Sequence, residues 1–132
     1  MLYAMLCYNS DDVVSAWTKE EDDAVMARLE IVHRRLAAEG KFGPAVRLQT
    51  TRAAKTLRKG GNPSIVTDGP YAETKEALLG FYLVDCASFE EAVDIARELE
   101  EANPGVGAYE IRPVSLFVPG QWGDAGPASE PA

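Results

Sequence analysis

Apolar residues in this chain fall into short blocks with two rhythms. LYAMLCY (residues 2–8) is apolar on both alternating sets and stops at Asn9-Ser10-Asp11-Asp12, as a strand covered on both faces does. The pattern predicts a loop over 9–17 and a helix opened by Thr18, with Glu21 at the capping-box spacing. Val25, Leu29, Val32 and Leu36 share one face of that helix, Glu20, Asp23, Glu30 and Arg34 lie mostly elsewhere, and Gly40 follows its expected end near Glu39. GPAVRLQ (43–49) reads as a second strand. AAKTLR (53–58) and SIVT (64–67) read as a hairpin around Lys59-Gly60-Gly61-Asn62-Pro63. ALLGFYLVDC (77–86) is the most apolar strand. Leu79, Phe81, Leu83 and Asp85 form one alternating set, and Leu78, Gly80, Tyr82, Val84 and Cys86 the other, so it belongs in the middle of a sheet. Ser88, with Glu91 three positions on, caps a second helix whose inner stripe is Phe89, Ala92, Val93, Ala96 and Leu99. After Asn103-Pro104-Gly105, AYEIRPV (108–114) is the last core strand, with Ser115 to Val118 as its candidate continuation.

The order β-α-β-(hairpin)-β-α-β is that of a ferredoxin-like α+β sandwich: an antiparallel sheet with two helices on one face, plus an extra β-hairpin. Two helices cover one face only, yet the first and central strands are apolar on both. A second copy packed sheet to sheet, a C2 homodimer, is the simplest cover. The competing expectation is that the hairpin and the tail fold over that face. Residues 1–118 are read as one domain and 119–132 (PGQWGDAGPASEPA) as a flexible C-terminal tail in which Trp122 is a candidate docking residue.

Composition narrows the function classes. A chain of 132 residues suits one domain with a real core. Its formal net charge of −8 argues against direct nucleic-acid binding, which calls for a basic face. The N-terminus has no basic start and its apolar run is short for a secretory signal; no stretch reaches the ~20 apolar residues of a membrane span, so a cytoplasmic protein without membrane partners is expected. Cys7 and Cys86 lie in strand-like runs without a Cys or His at metal spacing and read as buried free thiols.

The densest cluster of turn formers and charges is TDGPYAETKE (67–76). Asp68-Gly69 makes a tight turn, Pro70 stiffens it, and Tyr71, Glu73, Lys75 and Glu76 follow just before the central strand. Such a corner is first a structural device, and it also suits a preorganised site. The chain has one histidine, His33. At about 100° per residue it falls about 70° from the centre of the first helix's apolar stripe, on the margin where a helix meets a sheet edge. An imidazole there can reach a cleft and act as acid or base, or it can simply bond a backbone carbonyl. Arg112 could anchor a carboxylate or form a strand-end ion pair. No dinucleotide or phosphate-loop pattern and no Gly-x-Ser-x-Gly occurs, so no cofactor is expected. One histidine and unclustered cysteines speak against a transition-metal centre; Asp68 with Glu73 is the one weighed carboxylate pair for Mg2+ or Mn2+, and no metal is assigned.

VTDGPYAETKEALLGFYLVD, preceded by MLYAMLCY and followed by EIRPV, resembles the YCII-related family, in the branch named for its Asp-Gly-Pro-Phe motif. The likeness runs in order over residues 1–114; Tyr71 stands where that branch usually has Phe. The resemblance implies a ferredoxin-like chain paired as a dimeric α+β barrel, with a small-molecule site between helices and sheet. Its superfamily includes muconolactone isomerases and small monooxygenases. It also implies a His-Asp pair, for which His33 and Asp68 are the candidates here, and a genomic context beside extracytoplasmic-function sigma factors. Two functions are therefore carried forward. In the first, His33 is a cofactor-free acid/base for an isomerase-like reaction, Asp68 orients it, Tyr71, Phe81 and Tyr82 are walls, and Lys75 or Arg112 holds an anionic substrate. In the second, the same domain is a non-catalytic ligand-sensing or protein-interaction module linked to transcriptional regulation.

Overall fold

The computed structural model describes residues 1–122. Strand β1 (Leu2–Asn9) leads into a short helix α1 (Asp11–Ser15) and then α2 (Lys19–Ala38). Strand β2 (Phe42–Arg47) follows, then a 3-10 turn at Thr51–Ala53, the hairpin strands β3 (Lys55–Arg58) and β4 (Ile65–Asp68), the long strand β5 (Ala77–Asp85), helix α3 (Phe89–Ala102) and strand β6 (Ala108–Pro113). Four strands form an antiparallel sheet in the order β2-β5-β1-β6, and β3-β4 form a separate two-stranded ribbon. With the ribbon set aside this is the ferredoxin-like arrangement, and β5 is internal as its two-faced apolar pattern requires.

Local chemistry explains the helix starts. Thr18 Oγ1 accepts from the Glu21 backbone N–H at 3.1 Å, and the Thr18 N–H donates back to the Glu21 carboxylate at 3.3 Å, so the capping box is complete. Ser88 accepts from the Glu91 N–H at 3.1 Å, but the Glu91 carboxylate turns instead toward Lys41 Nζ at 3.4 Å. The stretch expected as a loop at 9–17 contains α1, whose five residues are too few to show a period.

The core lies between the helices and one face of the sheet. Tyr3, Met5, Val84 and Cys86 point to it from the strands, Leu29 and Leu36 from α2, and Ala92, Ile95, Ala96 and Leu99 from α3. Ile95 belongs to the inner stripe of α3, whereas Phe89 is 43% exposed and rests edge-on against Tyr3. Ala4, Leu6, Phe81 and Leu83 alternate onto the opposite face and are half-buried. The β3-β4 ribbon pairs only with itself, and Leu57, Ile65 and Val66 on it are each more than half exposed. Strand β6 ends at Pro113; Ser115 to Val118 do not extend it, and Leu116 and Val118 are exposed. Of the tail, Trp122 is exposed, and the expectation of flexibility for 123–132 lies outside the described residues.

Candidate functional site

The helices do not close fully on the sheet. A cavity of about 510 Å³ runs between α2, the sheet and the start of β6, a size suited to a small organic ligand. Helix α2 lines it with Asp22, Val25, Met26, Leu29 and His33, which recur at helical spacing on one face. Opposite stand Phe42 and Arg47 from β2, Gly80 and Tyr82 from β5, Cys7 from β1 and Tyr109 from β6. Trp17, just beyond α1, and Asn103, after α3, complete the rim. Asp11 on α1 accepts from the Thr51 N–H at 3.3 Å and from its hydroxyl, which ties α1 to the turn before the ribbon.

His33 closes one end. Its ring stacks on Phe42 with centroids 4.6 Å apart and 21° between planes, and meets the edge of Tyr82 at 5.4 Å. Its Nε2 is buried and has no hydrogen-bond partner among the described residues. Loss of water around the imidazole lowers its pKa, and the neighbouring Glu30 carboxylate only partly opposes this. The ring is therefore neutral at neutral pH, with Nε2 left unpaired among the described residues. Burial also pushes the Tyr109 phenol and the Cys7 thiol up to about 12 each, and it raises Tyr82, so these three stay protonated and the thiol is no nucleophile. At the other end Asp22 and Arg47 form an ion pair with contacts of 3.0 and 3.2 Å.

The residues singled out in the sequence divide sharply. His33 and Tyr82 line the cavity; Asp68, Tyr71, Lys75, Phe81 and Arg112 do not. Asp68 sits on the ribbon with its side chain 88% exposed, bonded to Lys55 Nζ at 2.7 Å. Tyr71 is 72% exposed and lies under Arg58, whose guanidinium carbon is 5.4 Å from the ring centroid. Lys75 is exposed in the turn before β5. Phe81 alternates with Tyr82 onto the other face of the sheet, and Arg112, paired opposite Ala4, shares that face. Within one chain, then, His33 and Asp68 are not brought into one cavity. The ribbon is a separate two-stranded sheet, and across it Asp68 is paired with Lys55. The corner itself is well made: Gly69 has φ +103°, its N–H donates to Ala54 O at 2.8 Å, and the Thr56 hydroxyl donates to Gly69 O at 2.9 Å.

Sequence reasoning passed over Asp22, Arg47, Trp17 and Phe42. Asp22 carried a signal, since it is an acidic residue on the otherwise apolar face shared with Val25, Leu29 and His33. Arg47 carried a weaker one, as it falls two residues from Ala45 on the helix side of β2.

No helix among the described residues is long and apolar enough to cross a membrane. The chain is 58% identical over 121 residues to an uncharacterised protein of Rhizobium meliloti (strain 1021), a match covering 92% of this chain and 98% of that one. The YCII-related domain model matches residues 1–118, and with a match of that extent the chain belongs to the YCII-related family.

Proposed function

We propose that this is a small-molecule protein whose site is the cavity under α2, with His33 as its acid/base. The observation that carries this is the buried, unpartnered Nε2 of His33 on an apolar wall. A neutral imidazole in that position can take a proton from a carbon next to a carbonyl and return it to another carbon of the same molecule. That isomerisation consumes no cofactor. Tyr82 supplies a wall and a protonated hydroxyl. Asp68 has the structural part of holding β3 to β4 through Lys55, and Tyr71, Lys75, Phe81 and Arg112 act outside this cavity.

A thermal-shift screen of small phenols, lactones and ketones tests the reading. A ligand at a hundred times its Kd stabilises by about 2.7 kcal/mol. The expected result is a response in the wild type and in Asp68→Asn that His33→Ala loses while remaining folded. A response that survives in His33→Ala would sink the assignment. A second reading, ligand sensing without turnover, is favoured by the lack of any carboxylate bonded to His33 among the described residues. It predicts binding with no conversion of the bound compound, and it suits a cytoplasmic regulatory setting of the kind the Asp-Gly-Pro-Phe branch suggests.

The open face of the sheet supports a homodimer. Ala4, Leu6, Phe81 and Leu83 form an apolar surface that neither helix covers. Light scattering at micromolar concentration should give twice the chain mass, and Leu83→Arg should give monomers. A monomeric wild type would remove this part.

A further inference from the structure

The cavity is long and carries different chemistry at its two ends. Helix α2 and strand β2 run past each other, so that His33 meets Phe42 at one end and Asp22 meets Arg47 at the other. Asp22 and His33 lie on one face of α2, about 16 Å apart along its axis at 1.5 Å per residue. Between them the walls are Trp17, Val25, Leu29 and Tyr109.

Among the described residues three charged side chains line the space: Asp22, Arg47 and Glu100. The cation among them, Arg47, is already held by Asp22 at both carboxylate oxygens, with Nη1 at 3.2 Å and Nη2 at 3.0 Å. The second contact is an ion-pair contact rather than a hydrogen bond, so Asp22 Oδ1 keeps hydrogen-bonding capacity unused among the described residues. The cavity therefore offers an incoming carboxylate two like charges and a guanidinium in use. To an uncharged molecule it offers apolar walls, the Asp22 carboxylate as an acceptor beside Arg47, and a neutral imidazole at His33. Desolvation holds that imidazole neutral, which removes the other cation an anion could use.

We propose that this cavity selects an uncharged and largely apolar molecule bearing a hydrogen-bond donor, and that Asp22 sets that selectivity by occupying Arg47. The inference rests on the cavity being the ligand site and adds which class enters it. An Asp22→Asn substitution keeps the shape of the side chain and frees Arg47, and a freed guanidinium is a bidentate carboxylate receptor.

The test uses a matched pair, 2-naphthol and 2-naphthoate, which at neutral pH share a ring system and differ in charge. Binding is measured by calorimetry to the wild type, Asp22→Asn and the double variant Asp22→Asn/Arg47→Met. The wild type should prefer the naphthol by about tenfold or more, a difference of about 1.4 kcal/mol or more. Asp22→Asn should gain naphthoate affinity by a similar factor, and the double variant should lose that gain. A wild type that binds naphthoate as tightly as naphthol overturns the ligand class and leaves the site standing. A variant that gains nothing for naphthoate overturns the role of Asp22. Binding of neither compound to any of the three proteins removes the cavity reading, and this inference with it. Circular dichroism on each variant shows that it is folded, and the wild-type comparison stands even where a variant is not.

Discussion

Replacing Gly80 by alanine would put a methyl group where the backbone of a neighbouring strand already is. Gly80 is buried in β5 opposite Arg47, and a Cβ there would lie 2.3 Å from the carbonyl oxygen of Val46 and 3.3 Å from Arg47 Cα. Non-bonded heavy atoms settle at about 3.5 Å, so β2 must retreat by about 1 Å. Overpacking of this kind costs about 1–3 kcal/mol. Alanine also stiffens the unfolded chain, which offsets about 0.4–1 kcal/mol. Because β2 is an edge strand, it can move without dragging a further strand with it, and the net cost should be about 1–2 kcal/mol. In a chain of this size that lowers Tm by about 3–10 °C. The damage should be local as well. The Leu48 N–H donates to Leu79 O at 2.9 Å beside the clash, so its hydrogen exchange should quicken more than that of amides in the β1-β6 pairing. The Asp22–Arg47 pair rides on the same piece of β2 and should loosen with it. A Gly80→Ala protein as stable as the wild type, with Leu48 exchange unchanged, would refute the reasoning.

Other outcomes follow from the same geometry. His33 is the single histidine, so its ring signals in NMR can be followed without ambiguity, and its midpoint should lie below 6.5. The unfolded chain then binds the extra proton first, so this contribution to stability is complete above pH ~6.5 and is lost as pH falls through the folded midpoint; His33→Gln should flatten that part of the curve, and a midpoint at or above 6.5 would contradict the account. Thr18→Ala removes the hydroxyl that accepts from the Glu21 N–H, leaves the residue-18 N–H free to donate to the Glu21 carboxylate, and should cost about 1 kcal/mol by chemical denaturation. Leu99→Ala empties a fully buried position between α3 and the sheet and should cost about 2–5 kcal/mol; a loss under 1 kcal/mol would mean that the core closes over the gap.

The parts of the fold that could be read from the sequence are those decided by neighbours in the chain or by a strong period. The capping box at Thr18 and Glu21 needs three residues' spacing and nothing else. The two-faced pattern of 77–86 demands an interior strand, and β5 is one. The margin position of His33 follows from about 100° per residue along α2. The parts that could not be read depend on contacts far apart in the chain. Trp17 becomes a cavity wall through a helix of five residues, and that helix is held by Asp11 reaching to Thr51. Arg47 gains its meaning only from Asp22, twenty-five residues away on another element.

The charges of TDGPYAETKE lie outside this cavity. Charges close together in an exposed turn find each other or water: Asp68 takes Lys55, and Arg58 covers Tyr71. Groups satisfied in that way gain little by binding something else, because any ligand must first displace a partner. A ligand gains most where a polar atom is buried and left without a partner, since pairing it repays a desolvation cost already incurred in folding. Among the described residues that condition is met on α2 at His33 Nε2, with apolar residues between it and the Asp22–Arg47 pair. An acidic residue and a histidine standing on one apolar helical stripe, eleven positions apart, were a sparser signal than the charged corner. An apolar stripe accommodates a polar residue at little cost only where a partner answers it, as Arg47 answers Asp22.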